Sequence, residues 1–520
     1  MTKFNRLPIY PLLLAIYPVL AMLAFNASQT TLIVGVRPLL ICLGGGMAVF
    51  AILRLLLHSW SRAALLTGLV VTWFFVYGHL YTLLKPVTLL GFALGRHRIL
   101  FPVYTLVWLV LAWRLLRTKN SFAGAIPMLN WISIGLVALA VGQIGVYSAQ
   151  LKLAQLEQAK ITRPGSQISP ANPGGQLPDI YYIILDTYTR GDTLQTYFHF
   201  DNQPFLNSLK QMGFYIADCA RSNYTSTETS LASSLNLNYL EALSPKFARG
   251  STDHSALPEL IKDNLLRQQL EPLGYKSVVF QNEYMWAVWT DADIYLVPLP
   301  NAQVQRSLNP FEAMFERSTV AAFMVDAQST LFKGWIQQVN FPYAEHIDQI
   351  HYLLDKLPTI PTIAGPKLVF VHVLVPHQPY IFQPDGSLQL DENFYRTAGG
   401  PINAEYYAKG YTNQIQFINQ RMLDILQKII NQSPVKPIIV VQGDHGVKDF
   451  NRASILNAYY LPDGIEGKLY PTISPVNTFR VILDNYFGDH YSLLNDTSYD
   501  TPSDKFDFTV LPETSAECKK

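Results

Sequence analysis

The sequence predicts a chain in two parts: an N-terminal α-helical bundle of five transmembrane spans, then an α/β domain with a mostly parallel central sheet. Two observations carry this prediction. Apolar residues crowd the first 150 positions in five runs, 8–26, 32–57, 63–84, 100–116 and 126–148, each close to the roughly 20 residues that cross a bilayer. Beyond about 178, short runs rich in Val, Ile, Tyr and Phe alternate with helical stretches, the pattern of strands buried on both faces and covered by helices.

The composition fits both parts. The chain is 49% hydrophobic and 15% charged, with a formal net charge of +1, so bulk electrostatics give no footing for nucleic acid. The first apolar run is read as a span rather than a cleaved signal, because four more follow it. Lys3 and Arg6, His58 and Arg62, then Arg114, Arg117 and Lys119 fall on one side of the membrane if the N-terminus is cytoplasmic, as the excess of cations on cytoplasmic loops prefers. Lys85, Arg96 and Arg98 fall on the other side. An odd number of spans then places everything after about 150 outside the cytoplasm, at the cell membrane.

Residues 1–150 are thus expected to form the membrane domain. A linker is expected over 151–177, where "LKLAQLEQAK" extends the last helix as a stub and "TRPGSQISPANPGGQ" is rich in Pro, Gly, Ser and Asn. The α/β domain is expected over 178–490, with strands at 179–186, 275–280, 367–375 and 436–441 and helices such as 258–271 and 412–431. The remaining 491–520, with "NDTSYDTPSDK", reads as a polar tail or surface wrap. The three cysteines, Cys42, Cys219 and Cys518, form no CxxC pair and predict neither a zinc cluster nor a disulfide framework. A single Cys219–Cys518 bridge stays open.

Three of the four predicted strands finish on residues that can do chemistry. The first ends at Asp186 in "IILDTY", the third carries His372 and leads to His377 in "HVLVPHQPY", and the fourth leads to Asp444 and His445 in "VVQGDHG". Ligands of open α/β sheets bind at the carboxyl ends of strands, so these residues are expected to share one mouth. Two carboxylates and an imidazole suit zinc or manganese. The hydroxyl-rich segment 222–236, "SNYTSTETSLASSLN", is read as a loop over 223–227 followed by a helix. A threonine at a helix N-terminus sits where backbone N–H groups favour an anion. Touching a metal as well, it becomes a nucleophile at neutral pH.

Each of these residues also has a plain reading. Asp444–His445 is a common loop turn, Asp186 and Thr227 are ordinary helix caps, and His372 is a satisfied core histidine. Ser230 is a helix-surface or packing residue, Arg480 is structural, "TDAD" at 290–293 is a solvated loop, and the aromatic 281–289 either lines a groove or packs inside. The coincidence of strand ends and partner motifs favours the functional reading for Asp444–His445, Asp186 and Thr227, whereas His372, inside its strand, keeps the core or supporting reading.

Taken together the motifs resemble the alkaline phosphatase superfamily, in particular the sulfatase-like membrane branch of lipoteichoic acid synthases and lipid A phosphoethanolamine transferases. That branch has five spans followed by an extracytoplasmic α/β domain. Its nucleophilic threonine lies in T-x-x-S, matched by Thr227 and Ser230 in "TETS", whereas the rival Thr225 in "TSTE" has Glu228 at the third place. The resemblance implies Asp186, Thr227, Asp444 and His445 as metal ligands, and His372 and His377, in H-x4-H, as contacts of the substrate phosphate. It implies one or more divalent ions, a membrane-lipid or envelope-glycan substrate, and a phosphotransferase. Asp186 stands where the lipid-modifying transferases usually carry Glu, and the cysteines that often flank their threonine are absent. Cys219 is followed by "ARSN", without the proline of the sulfatase aldehyde motif. Two other readings remain: a phosphoric- or sulfuric-ester hydrolase of the same superfamily using water, and a non-catalytic membrane sensor or assembly factor with a degenerate site.

Overall fold

The structure is a computed structural model. It describes residues 7–118, 124–158, 168–169, 175–299, 308–326, 343–394, 404–462, 467–513 and Cys518, apart from 28–29, 86, 90–91, 390, 449 and 502–504. Of the linker expected at 151–177, positions 159–167 and 170–174 lie outside the described residues. The chain divides into two compact units, Met1–Gln150 with Pro300–Glu345, and Leu151–Leu299 with His346–Lys520.

The first unit contains helices α1 (Tyr10–Phe25), α2 (Val36–Leu57), α3 (Trp60–Leu84), α4 (His97–Arg117) and most of α5 (Ala125–Gln158), whose residues from Leu151 on belong to the second unit. Among the described residues, four helices are long and apolar enough to cross a membrane: Leu32–Leu57, Trp60–Leu84, His97–Arg117 and Ala125–Leu156. The run expected at 8–26 folds into the shorter α1, of 16 residues. Its ends are set by side-chain hydrogen bonds: Asn130 of α5 accepts from the N–H groups of Ile9 and Tyr10, and Asn26 donates to the Met22 carbonyl at the other end. A short helix at Pro310–Arg317, opened by a capping box between Asn309 and Glu312, belongs to this unit rather than to the α/β unit. Glu312 pairs with Arg37 of α2, and Phe311 and Phe315 pack with Val19, Leu23 and Phe75.

The second unit is built on a seven-stranded sheet. Its strands are β1 (Ile180–Leu185), β2 (Tyr215–Ile216), β3 (Lys276–Phe280), β4 (Ile294–Leu296), β5 (Lys367–Val373), β6 (Ile438–Gln442) and β7 (Asn457–Tyr460), in the order β2-β7-β6-β1-β5-β3-β4. Only β7 runs against its neighbours; the β6-β1-β5-β3-β4 run is parallel. Every residue of β1, β5 and β6 is buried, which explains their nearly continuous apolar sequences, broken by Lys367 and His372 in β5 and Gln442 at the end of β6. The register sets Leu185 beside Val373 and Ile184 beside both His372 and Gln442. The three central strands therefore end level with one another, and the residues that follow emerge at a single edge.

Helices α6 (Thr227–Leu235), α7 (Ala404–Gln432) and α8 (Pro475–Phe487) belong to this unit. The stretch expected as one helix at 258–271 is two, Leu257–Lys262 and Leu265–Leu270. The break falls at Asn264, whose side chain leaves the chain's helical run to cap the second helix at the Arg267 N–H. The last segment is tied to the unit. Tyr499–Asp500 pairs with Thr509–Val510, Arg221 donates to the carbonyls of Leu511 and Pro512, and Cys518 forms a disulfide with Cys219.

Candidate metal and nucleophile site

The turn after β1 holds the site together. Asp186 is 1% exposed, and Thr187, next to it, has φ +64°, a left-handed conformation uncommon for a β-branched residue. In that conformation Thr187 holds both candidate carboxylates at once. Its N–H donates to Asp444 Oδ1 at 2.9 Å, and its hydroxyl donates to Asp186 Oδ1 at 2.8 Å. Its carbonyl is fixed in turn by the Tyr411 hydroxyl at 2.8 Å.

The other oxygen of each carboxylate is buried and makes no hydrogen bond: Asp186 Oδ2 has His372 Nε2 beside it at 3.2 Å without hydrogen-bond alignment, and Asp444 Oδ2 has His445 Nε2 at 3.5 Å. Asp186, Asp444 and His445 each offer a ligand atom within 4.8 Å of the others, the one such cluster among the described residues. Buried carboxylate oxygens with no donor are costly, and a cation removes that cost. His445 fits the same role. Its Nδ1 faces the Gly446 carbonyl at 2.9 Å, which assigns the proton to Nδ1 and leaves the Nε2 lone pair pointing inward, the tautomer a metal-binding imidazole takes. The residues present therefore fit a divalent cation.

The glycines around this pair are needed for space. A Cβ on Gly443 would come 2.3 Å from the Tyr188 carbonyl oxygen, and one on Gly446 would come 2.5 Å from that of Ser454. The backbone after β6 can approach the turn after β1 only without side chains there.

Thr227 is the first residue of α6. Its Oγ1 lies 3.2 Å from His445 Nε2. Ser230, one turn on, donates to the Asp444 carbonyl at 2.7 Å and so pins the start of α6 to the turn that carries Asp444 and His445. The rival Thr225 is committed elsewhere: it is buried, donates to Asp500 Oδ1 and accepts from the Thr501 N–H, both at 2.9 Å.

The two other histidines part company. His372 lies inside β5, 4% exposed. The Asn282 amide fixes its tautomer: Nδ2 donates to the His372 carbonyl and faces Nδ1, both at 3.1 Å, while Oδ1 accepts from the Tyr284 N–H. The ring proton is then on Nε2, 3.2 Å from Asp186 Oδ2, so both nitrogens face protein groups. His377 follows β5, with Nδ1 against the Gln378 carbonyl. Burial pushes the Asp186 carboxyl up, but His377, His372 and His445 facing it outweigh that and hold it well below the usual carboxylate range.

No family model matches the sequence, and no curated protein matches it either. Solved structures similar to it include phosphoethanolamine transferases and sulfatases. One is lipooligosaccharide phosphoethanolamine transferase A, an integral membrane protein of Neisseria meningitidis, at 13% identity and TM-score 0.40, covering 92% of this chain and 95% of that one. Another is the C-terminal periplasmic domain of EptC from Escherichia coli, at 13% identity and TM-score 0.40, covering 62% and 86%. A third is a 2-O GAG sulfatase, at 12% identity and TM-score 0.37, covering 57% and 68%. At such scores the likeness is one of outline only.

Two residues of the site are invisible as motifs. Thr187 reads as any loop threonine, and nothing local announces its left-handed backbone. Asn282 lies in a stretch read for its aromatics. Those aromatics pack inside: Trp289 is fully buried and stacked on Phe370 at 4.7 Å, and Trp286 stacks on Tyr284 at 5.1 Å. In "TDAD", Asp291 pairs with Arg267, and Asp293 accepts from the Ser277 N–H and hydroxyl. Arg480 donates to the carbonyls of Leu237 and Ser492.

Proposed function

We propose that this protein is a membrane-anchored, metal-dependent, sulfatase-like phosphotransferase that acts on a phosphodiester-type lipid or envelope substrate through Thr227. One observation carries the reading: the Thr227 hydroxyl meets His445 Nε2 at 3.2 Å, beside two buried carboxylates whose inward oxygens make no hydrogen bond. Asp186, Asp444, His445 and Thr227 hold a divalent ion, zinc or manganese. When bound, such an ion lowers the pKa of the hydroxyl and neutralises charge that builds on the transferred group.

The chain's own residues then divide the work. Thr227 Oγ1, its proton shed to solvent, bonds to phosphorus as the bond from phosphorus to the leaving oxygen breaks. His377, doubly protonated and with its Nδ1–H on the Gln378 carbonyl, gives the leaving oxygen the proton of Nε2. An acceptor alcohol, or water, then gives its proton to His377 Nε2 as it attacks the phosphothreonine, and the Thr227 oxygen leaves and regains a proton from solvent. His372 is a positioning residue that keeps Asp186 turned inward, and Ser230 positions the nucleophile by holding α6 against Asp444. All five apolar helices cross the bilayer with the N-terminus in the cytoplasm. The 16 residues of α1 span about 24 Å, a mismatch that local thinning accommodates. The α/β unit then faces the outside, where a membrane lipid and the site share one surface.

Mass spectrometry of the full chain after exposure to a membrane lipid extract tests this. A phosphoryl adduct on Thr227 within the 222–236 peptide is expected, and none in Thr227→Ala, which also loses turnover. An adduct on Thr225, or turnover retained by Thr227→Ala, refutes the assignment.

A further inference from the structure

The three cations that break the charge asymmetry of the loops, Lys85, Arg96 and Arg98, come together in the first unit. They line one cavity of about 620 Å³ with Tyr81, His97 and Phe323. The convergence is built into the fold. A Cβ on Gly95 would come 2.4 Å from the Lys85 Cα, so the glycine lets the chain entering α4 close against the end of α3. The apolar wall is equally defined: the His97 ring stacks on Tyr81 at 3.9 Å, and Phe323 stacks on Phe101 at 4.2 Å. Lys85 lies over the Tyr81 ring at 5.8 Å.

None of the three cations forms an ion pair with a carboxylate among the described residues, and the first turn of α4 contains no acid. All three are exposed. Directly beside them Leu83, Ile99, Val103 and Leu106 expose apolar side chains. A cavity with three unmatched positive charges, opening between apolar helix ends, suits a ligand with a phosphate head and hydrocarbon tails. Soluble anions match the first feature but not the second.

We propose that this cavity is a docking site for the phosphate of an anionic membrane lipid. The proposal rests on the reading above for one thing, the side of the membrane: with five spans, the α3–α4 end lies on the same side as the α/β unit. Cations there run against the general preference for cytoplasmic positive charge, and holding a lipid headgroup gives them a use.

The test uses the full chain in neutral detergent, titrated with dioctanoyl phosphatidylglycerol, dioctanoyl phosphatidylcholine or inorganic phosphate, with binding read by native mass spectrometry. Phosphatidylglycerol is expected to bind best. Each cation contributes a factor of about 5, so Lys85→Ala with Arg96→Ala and Arg98→Ala weakens binding about 100-fold, while Lys85→Arg with Arg96→Lys and Arg98→Lys keeps most of it. If the triple alanine variant does not fold, Arg96→Gln alone should cost about 5-fold. Phosphatidylglycerol binding unchanged in the alanine variants, or phosphatidylcholine bound equally well, overturns the proposal. So does inorganic phosphate binding as tightly as the lipid, which would make this a free-phosphate site. Thr227→Ala is expected to bind phosphatidylglycerol normally. Its turnover therefore reports on the phosphotransferase reading alone.

Discussion

Replacing Asp444 with asparagine should change stability in opposite directions with and without metal. The substitution keeps the shape of the side chain, and Oδ1 can still accept from the Thr187 N–H. What it removes is one of two buried charges. The ligand oxygens of Asp186 and Asp444 lie within 4.8 Å of one another, and with an effective dielectric constant of about 20 two unit charges at that separation repel by about 3 kcal/mol. Both residues are 1% exposed, so water screens little of this. Metal-free Asp444→Asn should therefore melt no lower than the metal-free wild type, and up to about 3 kcal/mol higher. With zinc or manganese at 100 times the dissociation constant, the wild type gains about 2.7 kcal/mol and the variant almost none. Melting curves of the full chain in detergent, with excess metal and with a chelator, read both halves. The metal-dependent shift in the wild type should be on the order of 5 °C. A substitution that costs the same in chelator and in metal would show that Asp444 is an ordinary turn cap, and the cation site would fall with it.

Three further outcomes follow from neighbouring contacts. Thr187→Ala deletes the hydroxyl that holds Asp186 Oδ1 but leaves every ligand in place; metal affinity, measured by competition with a chelating dye, should fall about 10-fold. Thr225→Ala leaves Asp500 and the Thr501 N–H without their partner, so it should cost about 1–3 kcal/mol in denaturant unfolding yet still permit phosphorylation of Thr227. Cys518→Ala opens a loop closed over a separation of 299 residues and should destabilise the α/β unit by about 2–4 kcal/mol, with the wild type matching it after reduction.

The legible parts of this chain are those whose physics is local. The strands expected at 179–186, 275–280, 367–375 and 436–441 are β1, β3, β5 and β6 to within two residues at each end, because a strand buried on both faces must be apolar throughout. The edge strands β2 and β4 and the adjoining β7, of two to four residues, have no room for a pattern, and their pairing is decided by the sheet they join. The helix at Pro310–Arg317 fails in another way. Its sequence is amphipathic and charged, and its affiliation with the first unit rests on distant partners: Arg37, 275 positions away from Glu312, and Val19, Leu23 and Phe75 packed on Phe311 and Phe315.

The candidate site shows the same division. Asp186, Asp444 and His445 are readable because chemistry-bearing residues at the ends of apolar strands are unusual, and topology alone brings those ends to one edge. The choice between Thr225 and Thr227 is not local. Both are hydroxyls next to a helix start, and the distinction comes from Asp500 and Thr501, which belong to a segment that reads as a tail. The disulfide at Cys518 and the Arg221 contacts fasten that segment to the unit. Its first strand then occupies the Thr225 hydroxyl, and the threonine two places on is the one left facing His445. The far end of the chain thus decides which hydroxyl is available, so a sequence motif can propose the nucleophile but only the closed structure can separate it from its neighbour.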